Sequence, residues 1–160
     1  HFPCGGGTAE DTGEGQAVSE RSAEDLRGQE LAVYQAGIDS GVQMIMVGHT
    51  AVPSLTGDNT PASLSSIVVT DLLRVEMGYR GVIITDAMNL KAISEYYDSG
   101  QAAVMALKAG CDMVLMPENF EEAYEAVLGA VRDGTISEER VNDALRRIYR
   151  IKCADRLEQG

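Results

Sequence analysis

Three short apolar runs constrain this chain more than any other feature: Val42-Gln43-Met44-Ile45-Met46-Val47, Gly81-Val82-Ile83-Ile84, and Cys111 to Met116. Nearly continuous apolar runs of this length suit strands buried on both faces of a parallel sheet. Helical patterns separate them. Ser22 is placed to cap a helix that runs to about Asp39 and ends near Gly41. Ser63 or Ser65 opens a second, with Leu64, Ile67, Val68, Leu72 and Val75 on one side and Gly78 at its end. Gln101 to Ala109 reads as a third, closed by Gly110, and 119–132 as a fourth, closed before Gly134. Ser137 starts the last, with Glu138 and Glu139 near the positive end of its dipole and Val141, Leu145 and Ile148 as its inner stripe.

Strands that alternate with helices specify an α/β fold with a parallel sheet. An open doubly wound sheet and part of a barrel both satisfy the pattern. Three strands are too few to close a barrel, which needs eight. In either architecture the chemistry sits at the C-terminal ends of the strands. That rule marks His49-Thr50, Thr85-Asp86 and Met116-Pro117-Glu118. Met44, Met46, Met113 and Met116 read most simply as core.

Charge narrows the function classes. Asp plus Glu is 25 against 13 Lys plus Arg, a net charge of −12. So acidic a chain repels phosphate backbones, which argues against nucleic acid as a partner. No apolar run approaches the length of a membrane span, so no membrane partner is expected. Cys4, Cys111 and Cys153 are odd in number, far apart and without metal-site spacing. They fit a reducing compartment, here the cytoplasm, better than a disulfide framework, and no secretory signal opens the chain. The expected organisation is one domain over residues 1–160: a glycine-rich loop over 1–20, βα units over 21–153 and a tail over 154–160.

Five segments carry a family resemblance. His1-Phe2-Pro3, a glycine-rich stretch and Asp11-Thr12 resemble the N-acetylhexosaminidase signature Lys-His-Phe-Pro-Gly-His-Gly, spacer, Asp-Ser/Thr-His. Met46-Val47-Gly48-His49, Pro61-Ala62-Ser63-Leu64-Ser65, Gly81-Val82-Ile83-Ile84-Thr85-Asp86 and Ala109-Gly110-Cys111-Asp112-Met113 follow in the family's order. The chain thus resembles the N-terminal (β/α)₈-barrel domain of glycoside hydrolase family 3, in its β-N-acetylhexosaminidase branch. The resemblance covers nearly the whole chain and implies strands five to eight, with Phe2 near the end of the fifth.

The resemblance also implies roles. Asp86 falls at the nucleophile position of a retaining glycosidase, although by place alone it could equally cap the next helix or bind a backbone amide. Asp11 falls at the aspartate that orients the general acid/base histidine, and Gly13 stands where that histidine would be. Gly5 stands where the family has an earlier loop histidine. His1 would bind a sugar hydroxyl, and His49 is either a substrate contact or a hydrogen-bonded rim residue. Asp112 reads as a structural partner for nearby backbone. The implied reaction is retaining hydrolysis of terminal, non-reducing β-N-acetylglucosaminides, as in cell-wall recycling, with no cofactor and no metal. The competing reading is a non-catalytic module that binds sugar or pairs with another chain. Half a barrel would self-associate or take an N-terminal half as partner, because its sheet edges stay open.

Overall fold

The computed structural model describes residues 1–4 and 11–154. Three parallel strands form one sheet in the order β1 (Met44–Val47), β2 (Val82–Ala87), β3 (Met113–Leu115). β1 and β2 pair in register from Met44 with Val82 to Val47 with Thr85. β2 and β3 pair at Ile84 with Met113 and at Ala87 with Leu115, and the register shifts between those points. Outside β1, the Phe2 amide donates to the Met46 carbonyl at 2.8 Å, and the Gly48 amide donates to the Phe2 carbonyl at 2.9 Å. The N-terminal tripeptide therefore lies parallel to β1, bridged at Val47, as a fourth position at that edge.

Helix ends follow the capping residues. Ser22, Asp98, Asn119 and Ser137 each accept a backbone N–H from the first turn of the helix they begin. The helices are Ala23–Asp25 running on to Asp39, Ser99–Ala109, Phe120–Arg132 and Glu138–Lys152. The helix that crosses from β1 to β2 differs from expectation. Neither Ser63 nor Ser65 caps it; Ala62–Leu64 forms a 3₁₀ turn and Ile67–Glu76 is π-wound. The wider winding bonds each residue to the fifth along the chain, which moves the inner stripe. Val68, Val69, Leu72 and Leu73 are buried, while Ile67 and Val75 face out. In the last helix Ala144 takes the buried position and Leu145 is exposed.

The core lies between the sheet and these helices. Ile45, Val47 and Ile83 pack there with Val68, Val69, Leu72, Ala102 and Ala106. Burial of the strands on both faces, as the sequence implies, is complete only along Val82–Thr85 of β2. Met44 is 42% exposed and Met116 57%, and Met46 and Met113 are half-buried, so these four methionines are not core. Alternate strand residues point to opposite faces, and on β1 it is Ile45 and Val47 that enter the core. No helix among the described residues is long and apolar enough to cross a membrane.

The N-terminal ends of β2 and β3 are tied by one buried carboxylate. Asp112 Oδ2 accepts from the Ile83 amide at 3.0 Å and from Arg74 at 2.9 Å, and Oδ1 accepts from Arg147 at 2.9 Å and Arg140 at 3.4 Å. Its side chain is fully buried. Arg74 also donates to the Tyr79 and Gly81 carbonyls, and Arg140 to those of Leu107 and Cys111. The expectation of a backbone partner holds, with three guanidinium groups added. Removing one member of a buried ion pair strands the others without a counter-charge. Asp112→Ala is expected to lower stability by about 3–5 kcal/mol, read as a fall in the urea midpoint with the slope unchanged.

Candidate active site

Asp86 occupies the C-terminal end of the middle strand, where open α/β sheets and barrels alike place chemistry. Both ladders let go there: pairing with β1 ends at Thr85, and the β3 register shifts across Asp86. One carboxylate oxygen, Oδ1, accepts the Ala87 amide at 2.7 Å. The other, Oδ2, faces His1 Nε2 at 3.5 Å. The Asp86 side chain is 15% exposed and that of His1 49%, so the pair opens to solvent on the histidine side. His1 reaches this place because residue 48 is glycine. A Cβ on Gly48 would stand 2.9 Å from the His1 Cβ, closer than real carbons approach.

His49 follows Gly48 and is fully buried. Its Nε2 lies 3.0 Å from the Ala87 carbonyl and its Nδ1 2.8 Å from Ser63 Oγ. A carbonyl only accepts, so Nε2 carries the proton, and in the neutral ring Nδ1 accepts from the serine hydroxyl. Burial pushes the His49 pKa below its ordinary value, against the opposing pull of the Ala87 carbonyl and the Asp86 charge. Both ring nitrogens of His49 are thus engaged by the protein.

The loop that carries Asp11 folds on itself. Asp11 is exposed, and its Oδ1 accepts the Gly13 amide at 2.9 Å. The Glu14 amide closes the turn on the Asp11 carbonyl at 2.9 Å. Thr12 accepts from the Ala92 amide at 3.1 Å, which fastens the loop to the Lys91–Ser94 helix just beyond Asp86. A Cβ on Gly13 would meet Asp11 Oδ1 at 3.3 Å. A side chain at position 13 would therefore stand against the Asp11 carboxylate. The structure joins His1 to Asp86 and Asp11 to Gly13; among the described residues no hydrogen bond or ion pair joins the two groups. Gly5 lies outside the described residues. Among the described residues no three or more His, Cys, Asp or Glu gather so as to hold a metal ion. Two contributors have roles that the sequence did not show: Ser63, read as a helix start, and Thr85, marked only as part of a strand end, whose Oγ accepts the Leu115 amide at 3.0 Å.

The buried neutral imidazole has a consequence for acid stability. Its folded pKa is depressed, so the unfolded chain takes up the proton first. The contribution of His49 is complete above the ordinary histidine value of 6.5 and is lost as pH falls through the folded value. Urea midpoints at pH 7.5 and at pH 5 are expected to fall less on acidification for His49→Gln than for the unaltered chain.

Known proteins resemble this chain in sequence and in fold. The family described as the glycosyl hydrolase family 3 N-terminal domain matches residues 1–151. A β-hexosaminidase from Stenotrophomonas maltophilia strain K279a is 39% identical over 132 residues, covering 81% of this chain and 38% of its own length. A β-N-acetylglucosaminidase/β-glucosidase from Cellulomonas fimi is 30% identical over 100% of this chain and 30% of its own length. A solved family 3 β-N-acetylglucosaminidase from Paenibacillus sp. str. FPU-7 superimposes with a TM-score of 0.94 at 37% identity, covering 100% of this chain and 31% of that one. The chain thus spans between 30% and 38% of these relatives' lengths. On the match over residues 1–151, the chain belongs to the N-terminal domain of glycosyl hydrolase family 3.

Proposed function

We propose that this chain supplies strands five to eight of a (β/α)₈ barrel that cleaves terminal, non-reducing β-N-acetylglucosaminides with retention, with Asp86 as nucleophile. The observation that carries the reading is the Asp86 carboxylate itself. It sits at a strand end, with Oδ1 held by the Ala87 amide and Oδ2 turned toward the half-exposed His1. The Phe2 stub supports the strand count, since it adds a fourth parallel position beside β1. The Stenotrophomonas β-hexosaminidase and the Paenibacillus β-N-acetylglucosaminidase support the substrate class.

In this reaction Asp86 attacks the anomeric carbon and forms a glycosyl ester as the leaving oxygen departs. Water then releases the sugar. His1 donates to a ring hydroxyl and helps seat the pyranose. Both steps need a group that gives and then takes a proton. The position of the family's histidine is Gly13, which has no side chain to offer, and Asp11 turns its carboxylate onto the Gly13 amide instead. Natural glycosides, whose leaving alkoxides need a proton, should therefore turn over very slowly. This same vacancy favours the second reading, a module that binds sugar without releasing product. The barrel is completed by an N-terminal half or by a second copy. Three free cysteines fit a reducing compartment such as the cytoplasm.

Three outcomes are expected, the first two in a complete barrel. A 2-fluoro glycoside with a good leaving group labels Asp86, and Asp86→Asn takes up no label; label on another acid removes the assignment. Gly13→His raises turnover of natural disaccharides by about 10²–10⁴-fold and of activated aryl glycosides far less, and Asp11→Ala reverses most of that gain. Equal gains for both leaving groups would place the proton donor elsewhere. Sedimentation of the chain alone at micromolar concentration shows association rather than a stable monomer.

A further inference from the structure

The sheet comes apart around Asp86, yet the peptide after it is held on both sides. β1 has no further pairing beyond Val47 with Thr85, and the β2–β3 ladder is out of register between Ile84 and Ala87. A strand end released by both neighbours would swing, and its carboxylate with it. Two side-chain contacts, from Thr85 and His49, stand where ladder bonds are missing, and one backbone bond belongs to the Ala87–Leu115 pair. Thr85 Oγ accepts the Leu115 amide at 3.0 Å. The Met88 amide donates to the Leu115 carbonyl at 2.9 Å. On the β1 side, His49 Nε2 donates to the Ala87 carbonyl at 3.0 Å.

The Ala87 carbonyl and the Met88 amide belong to one peptide group. That group is therefore gripped by His49 from one side and by Leu115 from the other. One residue earlier, the Ala87 amide holds Asp86 Oδ1. We propose that His49, oriented by Ser63, is a positioning residue that stands in for the missing ladder bond and fixes the direction of the Asp86 carboxylate. The inference rests on the reading of Asp86 as nucleophile. His49 touches no substrate: it is fully buried, and its second nitrogen is engaged by Ser63 Oγ at 2.8 Å. Ser63 is itself fully buried, on the Ala62–Leu64 turn. The Ala87 carbonyl, which only accepts, fixes the tautomer, and the Ser63 hydroxyl then donates to Nδ1 and holds the ring in place.

The two amide residues that can replace the ring separate its functions. Glutamine at position 49 reaches as far as Nε2 and donates to the Ala87 carbonyl, but gives Ser63 no matched acceptor. Asparagine accepts from Ser63 and falls short of Ala87. The first measurement is backbone amide exchange in the protein at its natural length. His49→Asn should speed exchange at Ala87 and Met88 by tenfold or more (~10-fold taken as the least resolvable change). The Ile83 amide, held by Asp112, should keep its rate, and His49→Gln should resemble the unaltered protein. The second measurement is labelling of Asp86 by an activated 2-fluoro glycoside. His49→Asn should slow the labelling step on the order of 10²-fold with little change in the concentration that half-saturates it, and His49→Gln should restore most of the rate. Unchanged exchange at Ala87 and Met88 in the asparagine variant overturns the clamp, whatever the label does. Raised exchange with labelling of Asp86 at the unaltered rate overturns the positioning role. Label on another residue of the unaltered protein, with exchange raised as expected, overturns the proposal through the nucleophile assignment instead.

Discussion

The charged knot at Asp112 is the interaction on which the rest of this structure depends. A carboxylate shielded from water is costly unless its charge and lone pairs are met, and here they are met by three arginines and a backbone amide. Arg74 comes from the π-wound Ile67–Glu76 helix, and Arg140 and Arg147 from the Glu138–Lys152 helix. Two helices far apart in the chain are thereby fixed to the N-terminal ends of β2 and β3. The opposite ends of the same strands are free to carry chemistry. The division is physical. One end of the sheet uses its polar groups on itself, while at the other Asp86 Oδ2 faces the half-exposed His1, at 3.5 Å.

At that second end the architecture works by omission. Gly48 leaves room for His1 against β1, and Gly13 leaves the Asp11 carboxylate to turn back on its own loop. The sheet ladder is interrupted beside Asp86, and side chains from Thr85 and His49 take over the bonds that backbone would otherwise make. A regular ladder would hold the strand end as firmly. Its pleat would also fix every side chain by alternation alone, whereas side-chain contacts let the direction of one carboxylate be set separately.

Much of this was legible in the linear pattern. The three apolar runs became the three strands, and Ser22 and Ser137 cap the helices they were read to begin. The place of Asp86 at a strand end follows from its run alone. Other features were hidden for identifiable reasons. The partners of His49 are 14 and 38 residues away, and one of them is a backbone carbonyl, which no residue type announces. The convergence of three arginines on Asp112 joins positions 28 to 38 residues apart. The π-winding of Ile67–Glu76 changes the helical period that the apolar stripe was read with, so Ile67 and Val75 came out on the wrong side. The methionines misled because a run of apolar residues records two buried faces only when something covers both.

The parallel order of the sheet governs how fast the chain can assemble. No two neighbouring strands are joined by a tight turn: β1 reaches β2, and β2 reaches β3, only after a complete crossover containing a helix. Each ladder therefore closes a long loop before its first bond forms, and that entropy is spent ahead of any return. Phe2 is placed still worse, since it meets β1 only after the whole Ala23–Asp39 stretch has folded back. The helices can form from local sequence while the strands wait on one another. During that wait the methionine-bearing strand edges are open to any other extended chain nearby, so crowded conditions such as synthesis on clustered ribosomes are where this sequence is most exposed to mispairing.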